Sequence, residues 1–325
     1  MMKKLQIFAV LIAAMLVQAS PSFAFDWDKS VDASVLQKIK TKSGLRVLWW
    51  NVHDGKIAEG DQGVAFNHNI YDLIHSTIAP DVISLAEYQE SDLSPMILKE
   101  LERLYPNHIL QEYPGAHLFG LGIYSKYPFD VSSLDLLDIT PLKAMSDAER
   151  DAYRTDWCKG GMCVRPMLIL NLKMNGKSIK LVPIHFFDCW REVMNRVGKV
   201  GTLKEIIIGK ENPLLNQILR FRQILESKLG SELVHGNVAI FGDFNTPEKL
   251  LGLSTIGYEK ISAGLKDATE GNDDTFPSLG SQEHGHFPSM QIDHALASPA
   301  LGVAAGEVLP LRGSDHYPLY LILSP

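Results

Sequence analysis

The stretch that most restricts this chain is Val238-Ala239-Ile240-Phe241, four apolar residues that stop at Gly242 and then present Asp243 and Asn245 before Pro247. An apolar run of that length bounded by turn formers reads as a buried strand, and in α/β proteins reactive groups collect where such strands emerge at their carboxyl ends. On an extended chain residues i and i+2 share a face, so the acid and the amide can address one ligand. A plain strand-to-turn junction uses the same residue types. The stretch therefore needs company before it means chemistry.

Company is present along the whole chain. Residues 46–50 read as a strand that ends at Asn51, and 82–86 as another that ends at Glu87. A third covers 120–125. Residues 166–173 and 179–184 flank Asn175-Gly176, a strong hairpin signal, and the second arm ends at His185. Asp293 interrupts the strand-like run 290–296, and Asp315-His316 immediately precede a terminal strand over 319–323. Helical spacing predicts helices near 31–40, 69–79, 93–104 and 214–229. Residues 130–162 read as an irregular excursion at the mouth of a site, and 186–212 as a long insertion.

The first 24 residues stand apart from this pattern. Lys3 and Lys4 precede an apolar stretch from Leu5 to Val17, and Ser22-Phe23-Ala24 is a small-x-small cleavage site, so residues 1–24 read as a signal peptide. The apolar stretch is short for a transmembrane anchor, and none of about 20 apolar residues follows. The expectation is a secreted or periplasmic protein with one domain over 25–325, since no repeat or low-complexity linker divides it. Removing Lys3 and Lys4 leaves 29 basic against 38 acidic residues, a net charge near −9. That balance argues against gripping nucleic acid by bulk electrostatics, but it does not exclude an enzyme whose acids hold a divalent cation. Three cysteines are too few for a disulfide scaffold, yet Cys158 and Cys163 can close a small ring in an oxidising compartment.

The polar residues at these six places, counting Asp315-His316 as one, have complementary chemistry: carboxylates for a hard cation, imidazoles for proton transfer, amides to orient an oxygen-rich ligand. Their order resembles the endonuclease/exonuclease/phosphatase superfamily over nearly the whole mature chain. Trp50-Asn51-Val52 resembles its opening Asn motif, and Asp81 to Glu87 its strand ending in a metal-binding glutamate. Ile184-His185-Phe186, Gly242-Asp243-Phe244-Asn245, Gln291-Ile292-Asp293 and Ser314-Asp315-His316-Tyr317-Pro318 resemble the later motifs in sequence order.

The resemblance implies an α/β (α+β) fold, a four-layer sandwich of two mixed β-sheets flanked by helices, deoxyribonuclease-I-like. It implies Mg²⁺, or Mn²⁺ or Ca²⁺, near Asn51, Glu87 and Asp315. It also implies catalytic work by His185, Asp243, Asn245, Asp293 and His316, with His316 oriented by Asp293. Arg165, just before the hairpin, is a plausible phosphate contact. The implied activity is hydrolysis of phosphodiesters by a monomeric nuclease; phospholipid or phosphorylated small molecules are the alternative substrates, and a non-catalytic binding protein is the rival use of the scaffold.

The chain also departs from the family pattern. His53 stands where many members carry an acid, and Ala86 where a glutamine is usual. The insertion carries Arg191, Arg196, Lys199 and Lys204, the chain's best basic cluster. His284-Gly285-His286 lies in a Gly/Ser/Pro-rich loop and reads as polar surface. No Gly-x-Ser-x-Gly elbow is present, which disfavours a serine hydrolase.

Overall fold

In a computed structural model the described residues are 25–27, 33–53, 60–115, 119–143, 145–157, 163–174, 176–188, 193, 212–250, 252–279, 281 and 289–325. The signal-peptide segment, Cys158, Cys189, the basic residues of the insertion and the His284/His286 pair lie outside them.

Among the described residues, β1 (Leu45–Asn51), β2 (Val82–Tyr88), β3 (Asn107–Glu112), β4 (Gly120–Ser125), β13 (Gly302–Val308) and β14 (Leu319–Ser324) form one sheet in the order β13-β14-β1-β2-β4-β3. The second sheet contains β5 (Phe129–Leu137), β6 (Arg165–Met174), β7 (Lys177–His185), β8 (Val238–Asp243), β11 (Lys266–Asp267) and β12 (Asp293–Ala297), in the order β11-β12-β8-β7-β6-β5. Both sheets are mixed: β1 runs parallel to β2 and β7 parallel to β8, while their outer neighbours are antiparallel. A short β9–β10 hairpin, Lys249–Leu250 with Leu253–Ser254, stands apart.

Alternation along each strand builds the layers. In β1, Val47 and Trp49 face inward, where they meet Leu168, Leu170, Leu181 and Phe241 of the other sheet. Leu48 and Trp50 face outward and pack under α1 (Ala33–Thr41), α2 (Gly60–His75) and α3 (Pro95–Leu104) through Ile39, Phe66, Ile70 and Leu101. Phe221, Leu225 and Leu229 of α5 (Pro213–Leu229) cover Ile169, Val182 and Ile240 on the far side. The result is the expected helix-sheet-sheet-helix sandwich.

Helix starts follow their caps. Ser94 accepts from the Ile97 amide ahead of Pro95, and Asn212 accepts from the Leu215 amide ahead of Pro213.

The reading of 130–162 as irregular is corrected. Residues 129–137 form edge strand β5, and Asp147–Trp157 form α4. Both escape detection for one physical reason: β5 shows most of its residues to solvent, and α4 buries none. The apolar alternation that marks a core strand is therefore absent. The helix expected over 69–79 begins nine residues earlier, at Gly60, and ends at His75. No helix among the described residues is long and apolar enough to cross a membrane.

Candidate functional site

The sheet topology collects the polar strand ends at one edge of the sandwich. His185 closes β7, Asp243 closes β8 and Asp293 opens β12, and the register pairs His185 with Asp243 and Asp243 with Asp293 in a single row. Parallel β1 and β2 bring Asn51 level with Ala86, so Glu87 follows at the same end. Asp315 and His316 arrive just ahead of β14, which runs antiparallel to β1.

Gly242 makes the close approach of β7 and β8 possible. Its φ is +153°, and a Cβ there would lie 1.8 Å from the Ile184 carbonyl oxygen. No side chain fits that gap.

At the centre, Asp243 Oδ2 accepts from Asn51 Nδ2 at 3.0 Å and Oδ1 accepts from the Asn245 backbone N–H at 2.8 Å. Asn245 Nδ2 donates to the Phe186 carbonyl at 2.9 Å, tying the loop after β8 to the end of β7. Oδ2 of Asp243 also faces His185 Nε2 at 3.7 Å and His316 Nε2 at 3.9 Å. Burial, followed by the neighbouring Asp293 carboxylate, pushes Asp243 up to about 7.

His316 Nδ1 lies 2.8 Å from Asp293 Oδ2, and Asp293 Oδ1 accepts from Trp49 Nε1 at 2.9 Å. Burial alone would pull His316 down, but Asp293, Asp315 and Asp243 around it hold it well above the usual imidazole range. It is an imidazolium at neutral pH with Nε2–H directed toward the carboxylates. The backbone around it is fixed as well: Trp50 Nε1 donates to the His316 carbonyl, and Ser314 Oγ donates to the Asn51 carbonyl at 2.6 Å. Asp315 is penalised by burial, yet His316 and His53 hold it below the ordinary carboxylate value.

His185 has the opposite character. Burial, then the positive charges of Arg165 and His316, lowers it well below its ordinary value, so it is neutral. Its Nδ1 lies 2.9 Å from the Tyr113 hydroxyl, which accepts from the Glu87 backbone N–H at 3.1 Å. That leaves the phenol hydrogen for Nδ1 and assigns the imidazole proton to Nε2, which faces Glu87 Oε1 at 3.3 Å.

Arg165 is buried, with its guanidinium 4.5 Å from the centre of the Tyr113 ring, and its Nε and Nη1 have no hydrogen-bond partner. Unused buried N–H groups on a fixed cation suit an incoming anion. Gln217 of α5 braces this side: it accepts from the Phe187 amide and donates to the carbonyls of Leu137 and Cys163.

Backbone strain is concentrated here. The non-glycine residues with positive φ among the described residues are His53 (+64°), Glu87 (+53°) and Asn245 (+49°). At Glu87 the β2–β4 register also shifts between Leu85 and Tyr88, and such a bulge re-aims a side chain.

Among the described residues one group of His and carboxylate ligand atoms is spaced closely enough for a cation, and a second set is the one the family resemblance implies. Asp243, Asp293 and His316 have ligand atoms within 4.8 Å of one another. In that set, however, both Asp293 oxygens and His316 Nδ1 are already spent on Trp49 and on each other, which describes an orienting relay better than a metal cage. Asn51, Glu87 and Asp315 offer oxygen atoms, the donors a hard divalent cation takes.

All nine residues singled out from sequence lie at or beside this strand-end cluster. Sequence reasoning missed Tyr113 and Trp49. Tyr113 follows β3, an unrecognised strand with no clean alternation; Trp49 carries the apolar signal of a core residue, with only its indole N–H reaching the site.

A model described as the Endonuclease/Exonuclease/phosphatase family matches residues 48–316. Among solved structures, a mannosyl-6-phosphatase of Bacteroides thetaiotaomicron is similar at 16% identity, covering 86% of this chain and 100% of that one, with a TM-score of 0.54. Truncated Caenorhabditis elegans TDP2 is similar at 16% identity, with 86% and 97% covered and a TM-score of 0.53. D. rerio TDP2, complexed with single strand DNA product, is similar at 15% identity, with 87% and 100% covered and a TM-score of 0.54. At these identities the structural likeness carries the fold alone. No match was found among curated proteins.

Proposed function

The chain belongs to the endonuclease/exonuclease/phosphatase family, whose members are phosphoesterases, and from that premise we propose that it is an exported, divalent-metal-dependent phosphodiesterase acting on nucleic acid. The observation that carries the reading is the pairing of opposite proton states at one strand edge: Asp243 raised toward neutrality between an imidazolium, His316, and a neutral imidazole, His185. Groups whose environments push them apart in this way can divide acid and base work.

Asn51, Glu87 and Asp315 would hold the cation. When bound, it supplies positive charge against the phosphoryl oxygens and the leaving oxygen. The chain's own residues account for the proton movements. Asp243, with a pKa near the operating pH, takes a proton from the attacking water as its oxygen bonds to phosphorus. Asn245 and Asn51 keep that carboxylate in place. His316 presents Nε2–H to the ester oxygen as the P–O bond breaks and can give it a proton. Neutral imidazole is a poor acid, so His185 serves through its Nε2–H as a hydrogen-bond donor to a phosphoryl oxygen. Arg165 binds the other side of the phosphate.

Export is supported by the N-terminal pattern of residues 1–24 and by Cys163, which is in a disulfide whose other half lies outside the described residues.

The test is hydrolysis of plasmid DNA, RNA, sphingomyelin vesicles and a sugar 6-phosphate, with and without Mg²⁺ or Mn²⁺, by the wild type and Glu87→Ala. Metal-dependent cleavage of nucleic acid, lost by several orders of magnitude in Glu87→Ala, supports the proposal. Cleavage confined to vesicles or the sugar phosphate would reassign the substrate, and full activity in excess chelator would remove the metal.

A further inference from the structure

Gln217 of α5 is fully buried, and its carboxamide bonds only to backbone groups of other elements. Nε2 donates to the Leu137 carbonyl at 2.8 Å and to the Cys163 carbonyl at 3.1 Å, while Oε1 accepts from the Phe187 N–H at 2.7 Å. Leu137 ends β5, Cys163 lies two residues before Arg165, and Phe187 lies two residues after His185. The helix does not depend on these bonds for its place, because Leu214, Ile218, Phe221, Leu225 and Leu229 pack its apolar face against the second sheet. A side chain that fixes the backbone at three points around a site, on a helix already anchored by packing, is placed to hold geometry.

Two of the three bonds bracket Arg165. Leu137 is its register partner across β5 and β6, and Cys163 precedes it on the way into β6. The buried Nε and Nη1 of Arg165 make no hydrogen bond, so the aim of the guanidinium follows from where the backbone places it and from the Tyr113 ring beside it. The third bond reaches the other side of the site. Phe186 and Phe187 share one peptide group, whose N–H donates to Gln217 and whose carbonyl accepts from Asn245 Nδ2 at 2.9 Å. Held at both ends, that peptide has one orientation. Through Asn245, whose backbone N–H donates to Asp243 Oδ1 at 2.8 Å, it reaches the carboxylate at the centre. We propose that Gln217 is a positioning residue for the phosphate seat, setting from α5 the aim of Arg165 on one side and of the Asn245 loop on the other. The inference rests on the reading of Arg165 as a phosphate contact.

Calorimetric titration of the full chain with inorganic phosphate in the presence of Mg²⁺ tests it, together with steady-state cleavage of plasmid DNA and urea unfolding. Wild type is compared with Gln217→Met, Arg165→Ala and the double variant. Gln217→Met fills the space and removes all three hydrogen bonds. It should weaken phosphate binding about tenfold and raise KM for the plasmid by a similar factor, since displacing a positioned group by about 1 Å costs up to about 10²-fold. In the Arg165→Ala background the same substitution should change phosphate affinity by less than about twofold, the mark of two residues that act as a unit. A second measurement uses the wild type alone, in case Gln217→Met does not fold: bound phosphate should slow hydrogen exchange at the Phe187 amide, which bonds to Gln217. A lower urea midpoint in Gln217→Met with phosphate affinity and KM unchanged would make the residue purely structural; that result, or unchanged exchange at Phe187 with phosphate bound, overturns the inference and leaves the proposed function standing. Phosphate binding indifferent to Arg165→Ala removes the contact on which both rest. A wild type that binds phosphate and leaves the plasmid intact overturns the nucleic-acid reading alone, and the titrations still decide the role of Gln217.

Discussion

Asp293 and His316 are locked together by a 2.8 Å contact from Oδ2 to Nδ1, with the other carboxylate oxygen occupied by Trp49 Nε1. The Thr275 hydroxyl oxygen accepts from the backbone N–H groups of Ile292 and Asp293, which anchors the start of β12. The carboxylate therefore has one orientation, and it fixes both the tautomer and the charge of His316.

Replacing Asp293 by Asn keeps the shape and removes the largest of the three charges that hold His316 protonated. Turnover should fall by about 10²–10⁴-fold, the scale of a positioned acid-base group. The pH profile gives the sharper check. In the wild type, activity should rise as pH passes through about 7, where Asp243 ionises, and decline where His316, held above the usual imidazole range, loses its proton. In Asp293→Asn the alkaline limb should move to lower pH. An unmoved limb would mean that His316 does not work as an imidazolium.

Tyr113→Phe isolates one hydroxyl. That oxygen accepts from the Glu87 amide and its hydrogen sets the His185 tautomer. The variant should lose about tenfold to a hundredfold in kcat through a misdirected Glu87 and His185. Its thermal stability should change by about 1–2 kcal/mol, the cost of a buried hydrogen bond. Steady-state kinetics with a melting curve separates the two effects, and unchanged kcat would show that the hydroxyl is structural.

These two residues show what the sequence does and does not disclose. Asn51, Glu87, His185 and Asp243 were legible because a local pattern, an apolar run followed by a polar residue, coincides with their position on strands. Asp293 and His316 became legible through their neighbours in sequence. Tyr113 is contributed by a loop after a strand that does not alternate, and its partner His185 is 72 residues away, so no local signal marks it. The bulge that turns Glu87 inward is likewise a property of pairing with β4 and not of the local sequence. The sandwich itself was legible only through the motif order; β3, β5 and β13 have too little buried alternation to be read as strands.

Gly242→Ala tests the closeness of β7 and β8. A methyl group 1.8 Å from the Ile184 carbonyl cannot be absorbed by a rotamer change, because the clash is with backbone. The strands must separate, and the loss should exceed about 3 kcal/mol, in the range of severe packing errors. Gly271→Ala is the comparison: its φ is +77° but nothing lies within 4 Å, so strain of about 1 kcal/mol is the only cost of the added methyl group. Urea unfolding of both variants should rank them in that order.

Asp92 offers a stability prediction remote from the site chemistry. Its Oδ2 accepts from the Gln89 backbone N–H at 2.9 Å, but its buried Oδ1 has no partner. Burial outweighs that hydrogen bond and raises the group to about 6. The sign follows from linkage. Between about pH 4 and 6 the unfolded chain has released this proton and the folded chain retains it, so stability falls as pH rises through that window. This is opposite to the behaviour of a carboxylate stabilised by an ion pair. A rise of that size corresponds to at most about 3 kcal/mol, and solvent screening near the turn reduces this to about 1–2 kcal/mol. Asp92→Asn cannot titrate, so subtracting its urea-unfolding free energies from those of the wild type at pH 4, 5, 6 and 7 isolates the contribution. The difference should decline from pH 4 to 6 and then level off; a flat difference would show that Asp92 stays ionised in the folded protein throughout.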